Sequence, residues 1–278
     1  MPLVSSAEMV IAAQKGKYAI PAFNAENLEM VQAVAEAAQL TKSPVIIQTT
    51  PTTVAYMGLD EAVAMVSAVA RRASVPIALH LDHCEAFADV MRAIKAGYTS
   101  LMIDGSKLPL SDNIKLTKRV TDAALPMGLS VEAELGVLSG KEDGLEVKEA
   151  VYTDINEAIR FAEETEITML AVAVGTAHGF YKGTPHIEFD RLESISRRVN
   201  IPLVLHGGSG LPNEMVTKAI GLGICKVNFA TELRAAATKA VRQVLRQENV
   251  IDPKAYMGKA REAVMELCVQ KIKLCRGS

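Results

Sequence analysis

The chain contains no tryptophan, and aromatic residues make up only 4% of its 278 positions. Any core must therefore be built from Ala, Val, Leu, Ile and Met. Hydrophobic residues supply 49% and charged residues 22%, which allows a large buried interior and excludes wholesale disorder. Neither sign of charge dominates, because 30 Lys and Arg against 32 Asp and Glu leave a net charge of −2. That balance argues against a nucleic-acid-binding or polybasic membrane protein, while leaving room for a local basic pocket. No run approaches the ~18 apolar residues of a membrane span, and the opening MPLVSSAEMVIAAQKGKY lacks a secretory leader pattern, so the expected location is cytoplasmic. The four cysteines, Cys84, Cys225, Cys268 and Cys275, show no CxxC spacing. A disulfide framework is not expected, and any metal would be drawn to His and carboxylates.

What is present is a repeated unit. Short β-branched runs recur at 18–24, 44–50, 75–83, 100–106, 129–136, 169–175, 201–209 and 226–231. Between them lie Ala/Glu/Lys-rich stretches such as NLEMVQAVAEAAQL, with apolar residues at helical spacing. Strands alternating with helices over ~250 residues predict an α/β chain folded as a single (β/α)8 barrel domain, 1–278, ending in a helical tail that runs to about Lys273. A doubly wound open sheet is the alternative. It would want a Gly-rich turn after the first strand, and PAFNAENLEM offers none. The segment GVLSGKEDGLEVKEAVYTD, between the fifth and sixth strands, exceeds an ordinary βα loop and is expected either to act as a lid or to carry functional residues.

In a barrel of this kind chemistry gathers at the carboxyl ends of the strands. Those positions hold Asn24, Thr49, Thr50, Asp82, His83, Asp104, Glu134, His206, Asn228 and Thr231, with His178 just past the sixth strand. His83, His178 and His206 thus fall at three different strand ends, and three imidazoles converging on one mouth would make a catalytic zinc site with an open coordination position. One rim histidine alone would be an ordinary polar loop residue, and His186 reads as a surface residue. His80 shares strand parity with Asp82 and reads as an inward, hydrogen-bonded core residue. Cys84 could touch a metal, although a small buried thiol is the simpler reading.

Glycines form a second constellation. HGGSG (206–210) and GTAHG (175–179) place unhindered backbone N–H groups where barrels hold phosphate, with Asn228, Thr231 and Lys182 adding donors and charge. Carboxylates form a third. Asp82 adjoins His83 and can serve as a general acid/base, Glu134 faces the mouth, and Glu142 in KEDG is either a solvated charge or a mobile acid/base that arrives with substrate.

The motifs HLDH (80–83), VEAELG (131–136), KEDG (141–144), GTAHG, LHGGSG (205–210) and KVNFATEL (226–233) together resemble the class II, zinc-dependent ketose-bisphosphate aldolases. The resemblance implies a (β/α)8 barrel with Zn2+ on His83, His178 and His206, and Glu134 as a nearby alternative ligand. It implies Asp82 as acid/base for the C4 oxygen and Glu142 as the loop residue that exchanges the proton at the enediolate carbon. Gly179, Lys182, Gly207, Ser209, Asn228 and Thr231 match the cradle for the dihydroxyacetone phosphate end. A monovalent cation, Na+ or K+, would sit beside it on backbone oxygens near Ala177, Gly179, Gly207 and Ser209. Asn24 and Thr50 match positions facing the rest of a sugar bisphosphate, and Arg261 one that reaches the far phosphate from another subunit of a homodimer or homotetramer.

Some residues depart from the pattern. Ala230 stands where fructose-bisphosphate members usually carry Asp or Asn, and NFATEL is closer to tagatose-1,6-bisphosphate aldolases. Cys84 replaces a common Gly, and Thr50 replaces Ser. These differences favour tagatose 1,6-bisphosphate, with fructose 1,6-bisphosphate or another phosphorylated or sulfonated ketose as alternatives. Two rivals differ in kind. A Schiff-base aldolase needs a barrel lysine at a strand's carboxyl end, whereas Lys226 reads as the start of its strand. A non-catalytic barrel subunit, of the sort that accompanies tagatose-type enzymes as a related accessory protein, should lack the ligands that this chain retains.

Overall fold

The computed structural model describes residues 3–142, 145–147, 150–181 and 183–277. Its strands are β1 (Ile20–Asn24), β2 (Val45–Thr49), β3 (Ile77–Cys84), β4 (Ser100–Ile103), β5 (Ser130–Leu135), β6 (Ser139–Glu142), β7 (Leu145–Val147), β8 (Met169–Val172), β9 (Ala177–His178), β10 (Leu203–Leu205) and β11 (Ile224–Phe229). Eight of them close a parallel barrel in the order β1-β11-β10-β8-β5-β4-β3-β2. Each of the eight runs expected from the sequence supplies one barrel strand.

The helices are α1 (Ala7–Gly16), α2 (Leu28–Thr41), α3 (Pro51–Met57), α4 (Leu59–Arg72), α5 (Phe87–Ala96), α6 (Leu110–Ala124), α7 (Ile155–Thr165), α8 (Phe189–Ser196), α9 (Asn213–Gly221), α10 (Thr231–Val244) and α11 (Pro253–Arg276). Side chains define several helix starts. Asn27 caps α2 by accepting from the Met30 N–H, Asp154 caps α7 through Asn156 and Glu157, and Asp252 caps α11 through Lys254. The tail expected to end near Lys273 continues to Arg276, packs across α2 and α10, and buries Val264, Cys268, Ile272 and Cys275. All four cysteines are free thiols, as their spacing implies.

The barrel interior changes character along its axis. At the amino end, Ile20, Ala22, Ile46, Ala78, Met169, Ala171 and Val204 pack against Met9, Val10 and Ala13 of α1, which plugs that end. The Ser6 hydroxyl contacts those of Ser100 and Ser130 at 2.8 and 2.7 Å beneath the strands. Toward the carboxyl end the interior becomes polar, with Asn24, Gln48, His80, Asp82, Glu132, Glu134, Lys226 and Asn228 all buried. Burying that many polar groups is costly unless they satisfy one another. Their mutual geometry is therefore the informative part of the molecule.

The long segment after β5 is not the structureless loop its composition suggests. β6 pairs antiparallel with β7 and parallel with β9, making a small three-stranded sheet over the barrel mouth. Gly140 permits this pairing, since its φ is +106° and an added Cβ would lie 2.1 Å from the His178 carbonyl oxygen. Among the described residues, no single helix is long and apolar enough to cross a membrane.

Candidate active site

His83, His178 and His206 come together at the mouth. Their ligand nitrogens lie within 4.8 Å of one another, with ring centroids 4.6 to 6.1 Å apart. Strand alternation alone would not achieve this, because Asp82 and His83 are consecutive and should face opposite sides. The chain resolves the conflict with backbone strain. His83 has φ of +47°, rare outside glycine, and the β3–β4 register slips between Leu81 and Cys84. That turn brings both side chains to one site.

Carboxylates orient the imidazoles. Asp104 Oδ2 lies 2.9 Å from His83 Nδ1, and Glu132 Oε1 lies 2.7 Å from His206 Nε2. Glu134 Oε2 sits 3.2 Å from His206 Nδ1 and 3.8 Å from His83 Nδ1. Asp104 is held well below the usual carboxylate range, its own burial opposing the shift and the bond with His83 driving it. Burial and the neighbouring His83 both work against charging His206, yet Glu132 and Glu134 push its pKa up to about 9.

These residues suit a divalent metal. His206 Nδ1 and Glu134 Oε2 face each other, fully buried, without an aligned hydrogen bond. Two buried polar atoms in that state are costly unless a third group engages both. Imidazole nitrogens and a carboxylate oxygen are the donors zinc accepts, and second ring nitrogens held by carboxylates are usual around such ions.

Beneath the histidines lies a charge network that strand parity and motif spacing do not reveal. Lys226 Nζ is 2.8 Å from Glu132 Oε2, with both side chains fully buried. Lys226 is the third residue of β11 rather than its first, because the strand begins at Ile224. It therefore projects into the barrel, where its ammonium is engaged by Glu132 rather than presented as a Schiff-base nucleophile. Glu132 lies far below the normal carboxylate range, its burial opposing the shift and the Lys226 charge driving it. His80 donates or accepts at 2.7 Å with the Ser100 hydroxyl, as a core histidine should. Burial and then Lys226 lower its pKa to about 3, so it is neutral at physiological pH.

Asp82 occupies a cage of amides. Gln48 Nε2 donates to Oδ2 at 2.9 Å, Asn24 Nδ2 to the same oxygen at 3.2 Å, and Asn228 Nδ2 to Oδ1 at 3.3 Å. Gln48 also donates to Asn24 Oδ1 at 2.9 Å, which locks the cage. Gln48 follows the apolar stretch PVII and lies on β2, a position that marks it as interior without naming its partner.

Asn24, His178, Gly179, Gly207, Ser209, Asn228, Ala230, Thr231 and Arg234 line a small cleft beside the trio. Most of the residues expected to cradle an anion thus do share a wall. An added Cβ on Gly207, whose φ is +68°, would lie 2.4 Å from the Ala177 carbonyl oxygen, so the close approach of these two segments requires glycine. Tyr181 stitches them together, donating to Gly207 O at 2.8 Å and accepting from the Ala177 N–H at 3.2 Å. On the other side of the histidines, a cavity of about 310 Å³ runs between Pro51, Thr52, Cys84, Glu85, Ser106, Lys107 and Leu138. Cys84 lines it as a neutral thiol, since burial pushes its pKa up to about 11.

Other expected positions fall elsewhere. Thr50 is buried as the N-cap of α3, accepting from the Thr53 N–H, and its neighbours Pro51 and Thr52 line the cavity instead. Arg261 lies on the outer face of α11, where Nη1 donates to Gln32 Oε1 at 3.0 Å, away from this chain's own mouth. The backbone of Glu142 ends β6, whereas its side chain and all of Lys182 lie outside the described residues.

Comparison with known proteins agrees with this geometry. Residues 4–278 match the family described as fructose-bisphosphate aldolase class-II. The YdjI aldolase from Escherichia coli K12 is 36% identical, covering 98% of this chain and 97% of its own, with a TM-score of 0.89. A fructose-bisphosphate aldolase from Campylobacter jejuni, 22% identical, shares the fold over 99% of this chain and 95% of its own, with a TM-score of 0.82. With a barrel, a strand-end histidine trio and a family match over nearly its whole length, the chain belongs to the class II fructose-bisphosphate aldolase family and is a metal-dependent carbon–carbon lyase.

Proposed function

We propose that the protein catalyses reversible aldol cleavage of a ketose 1,6-bisphosphate, tagatose 1,6-bisphosphate before fructose 1,6-bisphosphate, to dihydroxyacetone phosphate and glyceraldehyde 3-phosphate. The convergence of His83, His178 and His206 beside a caged Asp82 carries this reading. The three imidazoles would hold Zn2+, with Glu134 as a nearby carboxylate ligand. A divalent ion there supplies Lewis-acid stabilisation of the negative charge that develops on the C2 and C3 oxygens.

The chain's own groups divide the remaining work. Asn24, Gln48 and Asn228 fix the Asp82 carboxylate. From there Asp82 accepts the C4 hydroxyl proton, the C4 oxygen forms the aldehyde, and the C3–C4 bonding pair passes into the enediolate. Glu142, delivered by the segment over the mouth, returns a proton to C3 and completes dihydroxyacetone phosphate. Each positioned acid/base contributes ~10²–10⁴-fold. Gly179, Gly207, Ser209, Asn228 and Thr231 hold the phosphate, Lys182 adds charge, and backbone oxygens near Ala177, Gly179, Gly207 and Ser209 would hold a Na+ or K+ ion beside it.

We place the rest of the substrate near Asn24 and Thr50, with Arg261 of a second copy in a homodimer or homotetramer reaching the far phosphate. A related accessory subunit is compatible with the tagatose-type run around Ala230. Assaying release of dihydroxyacetone phosphate from both bisphosphates tests the substrate. Faster cleavage of the tagatose epimer supports the proposed preference, and exclusive cleavage of fructose 1,6-bisphosphate reverses it.

A further inference from the structure

A glycine-rich loop does not hold its own shape, because glycine gives up more conformational freedom on ordering than any other residue. HGGSG, between β10 and α9, contains three glycines, and two of them take positive φ, +68° at Gly207 and +82° at Gly210. Its order must come from contacts with other segments. Gly207 O accepts from Tyr181, and the Gly208 N–H donates to Asn228 O at 3.1 Å. The second half of the loop is gripped by Glu232, in the first turn of α10. Glu232 Oε1 accepts the Gly210 N–H at 2.5 Å, and the Glu232 N–H donates to Ser209 Oγ at 3.4 Å.

The other oxygen of that carboxylate leads to the tail helix. Glu232 Oε2 lies 2.6 Å from Lys271 Nζ on α11. Lys271 is only 8% exposed, and among the described residues Lys226 is the one other buried lysine. Its ammonium also lies 5.1 Å from the ring centroid of Phe229, which ends β11. Lysines on a helix normally keep their charged heads in water, and burying one is costly without a partner. Docking of the tail does not call for that cost. Arg276 Nη1 donates to Ser43 Oγ at 2.7 Å, the Ala19 N–H donates to Cys275 O at 2.9 Å, and Cys268 and Ile272 are fully buried. What the ion pair adds lies at its far end, on the loop.

We propose that Lys271 is a positioning residue for the phosphate end of the substrate, acting through Glu232 on Ser209 and Gly210. A free carboxylate samples several rotamers, whereas an ammonium on one oxygen fixes the other against the Gly210 N–H. Neither Lys271 nor Glu232 lines the cleft, so the C-terminal helix supports the site without touching what it holds. This inference rests on the cradle being the phosphate site, and the experiment separates the two claims.

Inorganic phosphate serves as a competitor in the cleavage assay of the full-length, zinc-loaded protein, with zinc content and thermal unfolding measured on the same samples. Lys271→Met should raise both the phosphate inhibition constant and KM about three- to tenfold, the weight of one hydrogen bond. Over the same change kcat and bound zinc should move less than about twofold. Lys271→Arg keeps the charge and should bring both constants back toward wild type. The double variant Glu232→Ala/Lys271→Met removes the brace without leaving a buried charge unpaired. It should raise both constants at least as much, and it replaces Lys271→Met if that variant does not fold. Arg276→Ala releases a tail contact remote from the loop, so it should lower the unfolding temperature and leave both constants unchanged. Wild-type constants in Lys271→Met, or in the double variant where the single does not fold, overturn the inference and leave the cradle intact. An equal rise in Arg276→Ala overturns it too, since tail docking alone would then account for the effect. Failure of phosphate to compete in wild type overturns the cradle and the inference together.

Discussion

Replacing Lys226 with methionine is a demanding test of the buried network, because it removes a charge without removing much volume. The ammonium lies 2.8 Å from Glu132 Oε2, and both groups are fully buried. Lys226→Met removes the ammonium and leaves the buried Glu132 carboxylate only its His206 hydrogen bond, a loss worth ~3 kcal/mol, the low end for a broken buried pair. Against a total stability of ~5–15 kcal/mol, this lowers the unfolding temperature by on the order of 10 °C. The double variant Glu132→Gln/Lys226→Met removes both charges and should recover more than half of that loss. Zinc affinity supplies a second readout. Glu132 Oε1 holds His206 Nε2 at 2.7 Å, which aims Nδ1 at the site, so Glu132→Gln should weaken zinc ~10–100-fold in a chelator competition. Thermal unfolding of the metal-free proteins and the competition titration together decide the matter. Lys226→Met as stable as wild type, or a double variant no better than the single, would refute the reasoning.

The other expectations concern catalysis, acid and assembly. Asp82→Ala should abolish C3–C4 cleavage, whereas Glu142→Ala should permit cleavage, slow exchange of the C3 proton of dihydroxyacetone phosphate with solvent, and let an oxidant trap the carbanion; wild-type exchange in Glu142→Ala removes the loop carboxylate from the mechanism. The folded-state pKa of His80, about 3, lies below its ordinary value of 6.5, so the folded protein resists its protonation. Stability from neutral His80 is complete above pH 6.5 and is lost as pH falls toward 3, amounting to roughly 3 kcal/mol by pH 4.5. Acid unfolding curves should therefore fall less steeply for His80→Gln than for wild type. Light scattering should show at least a dimer, and Arg261→Ala should raise KM for a bisphosphate; a fully active monomer contradicts the shared site.

The fold is legible in the sequence because its signal repeats. All eight β-branched runs form barrel strands, and the histidines at three strand ends meet as their placement suggests. The interior charges are harder to read. Lys226 reads as a strand start because ICK continues a Gly-rich turn, and a two-residue error in that boundary hides a barrel lysine. The Asp82/His83 pair defeats alternation through a local strain at His83 that no periodicity encodes. Gln48 and Lys271 carry no motif, and each gains meaning only from partners distant in sequence, Asp82 and Glu232. The small sheet over the mouth is hidden by polar, Gly-rich composition, since pairing of β6 with β9 joins segments on opposite sides of α7.

The central claim is that three strand-end histidines hold the metal on which aldol cleavage depends. It is tested most directly by measuring bound metal and dihydroxyacetone phosphate release on the same samples of wild type and His206→Ala, before and after chelation and zinc readdition. The account predicts about one zinc per wild-type chain, loss of activity with the metal, recovery on readdition, and neither metal nor activity in His206→Ala. Full cleavage by metal-free wild type, or a borohydride-trapped substrate adduct on a lysine, would contradict it.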